Sequence, residues 1–257
     1  MSDIRIVPGP AGPADWPPPE ACRQPIALLI SGGIDSAVML ADAAGRFPRV
    51  YPLYIRTGLI WEDAELAHLR RYLQAIASLQ TIQPLVILDQ PVDDLYGDHW
   101  SRSGHGVPAA GTPDEDVYLP GRNVLLLSKA LLWCHLHHVS LLALAPLAAN
   151  PFPDATPAFF AAMAAVVGQA VRDRFTIVRP YAHWHKPEVI RQGQELPLHL
   201  TFSCIQPVAN GRHCGRCSKC YERAVAFRAA RLPDPTDYDQ PVLLPPEGEC
   251  GHVSRQP

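Results

Sequence analysis

Three groups of residues in this chain have types and spacings suited to chemistry. The first is Ser31-Gly32-Gly33-Ile34-Asp35-Ser36, directly behind the apolar run Ile26-Ala27-Leu28-Leu29-Ile30. A buried strand that breaks at paired glycines and enters a helix makes an anion site. The glycines let backbone N–H groups approach a phosphate, and the helix dipole opens toward it. Ser31 and Ser36 add hydroxyl donors, and Asp35 can hold the turn or a magnesium ion. The spacing is neither the Walker pattern nor the dinucleotide fingerprint, which place their glycines differently. A plain Gly-Gly turn is the competing reading.

The second group is Cys204, Cys214, Cys217 and Cys220. Four thiolates in one short segment suit a tetrahedral structural zinc, which needs four soft ligands and no open position. An iron–sulfur cluster also takes four cysteines and is the rival. Arg212, Arg216, Lys219 and Arg223 stand where they could offset the negative charge of such a site, while Cys22, Cys134 and Cys250 are scattered. A reducing compartment argues against disulfides. The third group is cationic. Arg122 and Asn123 follow Pro120-Gly121 at the start of an apolar helix, and Lys186 stands just ahead of Pro187 and a second helix. Both places suit a polyphosphate, although a Pro-Gly turn or a solvated lysine at a cap explains either one alone. His135, His137, His138, His183 and His185 lack a carboxylate at ligand spacing and read as structural or surface residues. Trp61, Trp100, Trp133 and Trp184 read as core packing, and Asp114-Glu115-Asp116 as solvated loop.

The elements that position these groups alternate. Strands are expected near Ile26–Ile30, Val50–Ile55, Leu85–Leu88, Ser140–Ala145 and Phe175–Val178. Pro52 suggests an edge or an early position for the second, and the third reads as buried. Helices are expected over Ser36–Ala44, Trp61 to about Leu79, and Asn123–His137. A further helix is capped by Thr156 and Pro157, with Phe159, Phe160, Met163, Val166 and Val167 on its core face. Residues 97–117, rich in Gly, Ser, Pro and Asp, read as a lid or binding loop. Alternating strands and helices predict an α/β fold: an open, mostly parallel sheet with helices on both faces. Ligands then gather at the carboxyl ends of the strands, where Ser31, Thr57, the 97–117 loop and Asn150 fall.

The 257 residues suffice for one core, read as residues 25–198, with a four-cysteine subdomain at 199–230. Proline, at 28 residues, concentrates in 1–24 and 231–257, which read as tails. A net charge of −3 gives no global field toward nucleic acid or membrane. No apolar run reaches the roughly 20 residues of a membrane span, and the N-terminus lacks a signal-peptide pattern. A cytoplasmic location is the expectation.

Ser-Gly-Gly-x-Asp-Ser, then Pro-Gly-Arg-Asn, then Lys-x-Glu, then cysteines closing as Cys-Gly-x-Cys-x-x-Cys, form an ordered series. That order resembles the 7-cyano-7-deazaguanine synthases (QueC, ExsB-like) among the ATP pyrophosphatases, from about Ile26 to Phe227, as a divergent member. The resemblance implies an adenine nucleotide alpha hydrolase-like fold with a small zinc-binding C-terminal subdomain. It implies an ATP-dependent carbon–nitrogen ligase that adenylates a 7-deazaguanine carboxylate, then the amide, and forms the nitrile with ammonia. Ser31, Gly32, Gly33, Ile34, Asp35 and Ser36 would hold the pyrophosphate, and Arg122 and Lys186 would neutralise phosphates bridged by Mg²⁺. Cys204, Cys214, Cys217 and Cys220 would bind Zn²⁺. Asp154, in Phe152-Pro153-Asp154, would face the base, with Thr57 also on the substrate side. Implied partners are a deazapurine-like small molecule and ammonia, with a homodimer as the candidate assembly.

Two segments depart from the family. Ile55-Arg56-Thr57-Gly58-Leu59 stands where the family carries Tyr-Gly-Gln-Arg-His, and Phe152-Pro153-Asp154-Ala155-Thr156 replaces Tyr-Pro-Asp-Cys-Arg. The ATP half is kept and the substrate half altered. A paralogue acting on a different carboxylate or amide is therefore one alternative, and a non-catalytic zinc-stabilised nucleotide-binding module is another. A tRNA-directed adenylating enzyme would want a basic face and a catalytic cysteine near the sheet edge, and neither is evident.

Overall fold

The computed structural model describes Trp16 and residues 21–246. Five strands, β1 (Ile26–Leu29), β2 (Val50–Arg56), β3 (Val86–Asp89), β4 (Leu141–Ala143) and β5 (Thr176–Val178), form one sheet in the order β3-β2-β1-β4-β5. Every pairing is parallel. The helices are α1 (Ile34–Ala44), α2 (Glu62–Ala75), α3 (Asp93–Tyr96), α4 (Trp100–Ser103), α5 (Arg122–Leu136), α6 (Pro157–Val171), α7 (Lys186–Gln192) and α8 (Ser218–Ala230). The chain runs outward from β1 through β2 to β3, then returns to the other side of β1 for β4 and β5. That reversal leaves a crevice beyond the carboxyl ends of β1 and β4.

β1 is covered on both faces, which is why it reads as an unbroken apolar run. Ile26, Leu28 and Ile30 point into a core shared with α1, α2, α7 and α8, while Ala27 points into one shared with α5 and α6. All of α1 is buried except Asp35. Close packing explains this: a Cβ on Gly193, just past α7, would meet Val38 Cγ2 at 2.4 Å. At α6, Thr156 Oγ1 accepts from the Phe159 amide at 3.2 Å, the expected cap.

Several expectations needed revision. β2 is interior, so for Pro52 the edge reading fails and the early position holds, since it is the third of seven residues. The carbonyls of Arg49 and Leu53 accept from β1, whereas Val50 bonds to the 81–83 segment, so Pro52 turns its missing N–H toward β3. The β3 ladder begins only at Leu53 paired with Val86, so the proline deprives no rung. β3 is an edge strand and only half-buried. α2 ends at Ala75, and Val166 on α6 is 63% exposed, off the core face. The 97–117 loop is pinned to the cysteine segment: Ala110 N donates to Arg216 O at 2.9 Å and Ser218 N to Pro108 O at 2.9 Å. Residues 231–246, read as the start of a tail, lie against the same segment, where Asp239 N donates to His213 O at 2.8 Å. Residues 1–15, 17–20 and 247–257 of the two expected tails lie outside the described residues. No helix among the described residues is long and apolar enough to cross a membrane.

Arg223 of α8 gathers this end of the molecule. Fully buried, it donates to Thr236 Oγ1 (2.6 Å), Thr201 Oγ1 (2.9 Å), Ser203 Oγ (3.1 Å) and Leu198 O (2.9 Å). Replacing it leaves buried acceptors without donors, and each hydrogen bond to a charged group is worth about 1.5–3 kcal/mol. Arg223→Met is expected to lower unfolding free energy by about 3 kcal/mol or more, read from the urea midpoint at unchanged slope.

Candidate active site and cysteine metal centre

β1 delivers the chain to Ser31 at the mouth of the crevice. Gly32 adopts φ +80°, and a Cβ there would sit 3.2 Å from Leu69 Cβ and 3.3 Å from Glu65 O, so α2 packs directly on the turn. Gly33 enters α1 in an extended conformation without a side-chain cap. The first-turn amides of α1 have no carbonyl one turn back to bond. Local hydroxyls hold the turn: Ser36 Oγ accepts from Ser31 N (3.2 Å) and donates to Gly33 O (3.1 Å), and Ser31 Oγ accepts from Gly33 N (3.3 Å). Phe202 N donates to Gly32 O at 2.8 Å, joining the turn to the segment that leads into the cysteines.

Ser31, Gly33, Asp35 and Ser36 line a cleft of about 240 Å³. Its other walls include Tyr54, Glu62 and Glu65 from β2 and α2, Arg122 and Asn123 from α5, and Ala145, Pro146 and Asn150 beyond β4. The turn is open and faces this space. Arg122 Nε is buried without a protein partner, a donor suited to an anionic ligand. Asp154 stands behind the wall: its Oδ2 accepts from Asn123 N at 3.0 Å and its carbonyl from Asn123 Nδ2 at 2.8 Å. It caps α5 and so aims Arg122. Thr57 is likewise committed to the scaffold, with Oγ1 donating to Glu62 Oε1 at 2.6 Å. Neither Asp154 nor Thr57 lines the cleft.

Lys186, first residue of α7, puts Nζ 3.3 Å from Asp35 Oδ2 and 2.5 Å from Glu222 Oε1. Lys219 Nζ reaches Glu222 Oε2 at 2.6 Å. Burial opposes a charged Lys186, but Asp35 and Glu222 more than offset it and hold the ammonium protonated. Burial also opposes the Glu222 carboxylate; Lys186 and Lys219 pull it down to about 2. Burial raises Asp35 despite Lys186, and its Oδ1 is a buried acceptor with no protein partner.

Tyr54, Glu62, Glu65 and Glu222 were not singled out in the sequence. Glu62 and Glu65 look there like ordinary acidic residues in a first helical turn, and Glu222 like one charge among many on α8. The one signal was spacing: Glu62 and Glu65 share a helix face with Leu66 and Leu69, which is buried.

Cys204, Cys214, Cys217 and Cys220 are buried with sulfur atoms within 4.8 Å of one another. The pairs Cys204–Cys217 and Cys214–Cys220 stand at 3.8 and 3.9 Å. A single tetrahedral ion with metal–sulfur bonds of about 2.3 Å separates its ligands by about 3.8 Å, so the four side chains fit one ion. Backbone amides of Gln206 and Cys214 point at Cys204 Sγ, and those of Arg216 and Cys217 at Cys214 Sγ, each at 3.4–3.5 Å. These amides temper the thiolate charge. The flanking cations face elsewhere: Arg212 pairs with Asp239, Lys219 with Glu222, and Arg223 with hydroxyls and a carbonyl.

Sequence comparison agrees with this geometry. The family model of the queuosine biosynthesis protein QueC matches residues 26–231. The chain belongs to the QueC family. It is 33% identical over 222 residues to the 7-cyano-7-deazaguanine synthase of Cupriavidus necator, covering 82% of this chain and 96% of that one. It is 31% identical over 237 residues to the synthase of Syntrophobacter fumaroxidans, covering 84% and 97%. A solved 4-thiouridine synthetase–RNA complex with bound ATP shares 15% identity at a TM-score of 0.48, over 84% of this chain and 47% of that one, a likeness too distant to bear on function. Within the QueC family match lie the phosphate-loop sequence, Arg122, Lys186 and all four cysteines.

Because Phe202 and Glu222 tie the cysteine module to the loop and to Lys186, stripping the metal should reach both. Chelation under denaturant-free conditions is expected to release one ion per chain, to lower the melting temperature, and to weaken nucleotide binding about 10-fold or more. Elemental analysis and isothermal titration before and after chelation check this.

Proposed function

We propose that this chain is an ATP-dependent ligase that adenylates a 7-deazaguanine carboxylate, then the derived amide, and forms the nitrile with ammonia. The observation that supports it most is the cleft at the sheet's reversal point, lined by the Ser31–Ser36 turn and Arg122, with Lys186 paired to Asp35 of that turn. A carboxylate does not react with ammonia in water, so an oxygen must first be made a leaving group. In this reading the substrate carboxylate attacks the α-phosphorus of ATP, and the bond to the bridging oxygen breaks with its electrons leaving on pyrophosphate. Amides of the turn and Lys186 take up that charge, and Arg122 grips phosphate oxygens from the opposite wall. Preorganisation lowers the barrier, since the turn and Arg122 already line the cleft before ATP arrives and Asp35 holds Lys186 beside the turn.

Asp35 Oδ1 would hold Mg²⁺, which supplies neutralisation of phosphate charge. The four cysteines would hold Zn²⁺. The ion contributes folding energy and leaves no position open for substrate. An iron–sulfur cage would push its cysteines farther apart than one ion does, and the 3.8–3.9 Å sulfur pairs favour zinc. Asp154 and Thr57 act in this reading through Asn123 and Glu62, setting the cleft's shape.

A second reading keeps the adenylation and changes the acid. It is favoured by the altered segments at Ile55–Leu59 and Phe152–Thr156 and by the commitment of Thr57 and Asp154 to scaffold contacts. ATP–pyrophosphate exchange separates the possibilities. Exchange that depends on 7-carboxy-7-deazaguanine, and that drops about 100-fold or more in Lys186→Met, is the expected result. Exchange with another carboxylate only would favour the paralogue, and none with any carboxylate the non-catalytic module.

A further inference from the structure

The cleft holds a carboxyl group that the adenylation step does not use. Glu65 lies on the α2 face that packs on the phosphate turn, its Cγ 3.5 Å from where a Gly32 Cβ would stand, and it lines the cleft. Its Oε2 accepts the Tyr54 hydroxyl at 2.7 Å. The other carboxylates lining the cleft have roles already. Glu62 closes a turn by taking the Thr57 amide, the Thr57 hydroxyl and the Gly58 amide, and Asp35 pairs with Lys186 and keeps Oδ1 for the metal in the ligase reading. Arg122 is a permanent cation.

Resting on the ligase reading, we infer that Glu65 is the proton acceptor for the amination and dehydration half of the reaction, with Tyr54 as its positioning residue. Adenylating a carboxylate releases no proton. Attack of ammonia on the acyl adenylate forms the C–N bond and breaks the C–O bond, whose electrons leave on AMP; the nitrogen then sheds one proton. Adenylating the amide oxygen sheds a second, and expulsion of AMP, which turns C=N into C≡N, sheds a third. Each passes to the Glu65 carboxylate and on to solvent before the next step. A carboxylate in water is too weak a base for this work near neutrality. Burial, opposed by the Tyr54 hydrogen bond and the Arg122 charge and aided by Glu62, pushes Glu65 up to about 8, close to the ideal for proton transfer.

The groups facing Glu65 are Tyr54 from β2, Glu62 from α2 and Arg122 from α5. The ionised fraction of Glu65 grows with pH, so at constant free ammonia nitrile formation should climb and level off above about pH 8. Tyr54→Phe removes a donor that favours the carboxylate, which should move that limb to higher pH. Glu65→Gln keeps size and shape. It should retain carboxylate-dependent ATP–pyrophosphate exchange and lose nitrile formation about 100-fold or more. Hydroxylamine, a stronger nucleophile whose acylated nitrogen gives its proton to water readily, should still trap the acyl adenylate in the variant. Nitrile formation at the parental rate would overturn the inference. So would a parallel loss of exchange and turnover, which would assign Glu65 to the architecture of the ATP site. Parental enzyme without exchange on any carboxylate sinks the ligase reading itself, and the inference with it.

Discussion

The ammonium of Lys186, held between Asp35 and Glu222, is the contact on which the rest of this molecule turns. It joins three pieces of chain that are far apart in sequence: the phosphate turn, the start of α7 and the helix carrying the last cysteine. A buried cation between two carboxylates is tolerated because each partner meets charge and hydrogen bonds that replace water. Removing any member would strand the others. The ion pairs therefore work as a latch, and the Phe202–Gly32 hydrogen bond also joins the turn to the cysteine segment.

This arrangement explains why a site for small molecules carries a metal module at all. The sheet alone supplies the turn and the crevice, since the reversal of strand order at β1 and β4 leaves room there. It does not supply a rigid floor for Lys186. A segment as short as the one from Cys204 to Cys220 has too little apolar surface to fold alone. The four clustered cysteines, which fit one ion, and Arg223 fastened to Thr201, Ser203 and Thr236 tie this segment to its neighbours around Glu222. The 97–117 loop adds to the module by strapping across Arg216 and Ser218 instead of closing over the cleft.

The interior wall of Tyr54, Glu62 and Glu65 is closely interlocked. Glu62 closes the β2–α2 turn on Thr57 and Gly58. Glu65 and Arg122 stand on the walls of the cleft itself. Asp35 Oδ1 and Arg122 Nε belong to cleft-lining residues and are buried without a protein partner, and such atoms are available to a ligand.

The local chemistry was determined by sequence alone. The glycine turn between an apolar strand and helix, the four spaced cysteines, the Thr156–Pro157 cap and the alternation of elements are short-range features, set by backbone conformation and side-chain type within a few residues. The QueC family resemblance was equally legible, because it rests on the order of such motifs. Tertiary structure alone decided what lies next to what. Pro52 sits in an interior strand because β3 starts late; Asp154 contacts Asn123, and Thr57 contacts Glu62. Glu65 and Glu222 become site residues only through contacts across the fold. The physical reason is that desolvation and pairing depend on every chain segment packed around a group, and no local pattern of residues encodes that enclosure.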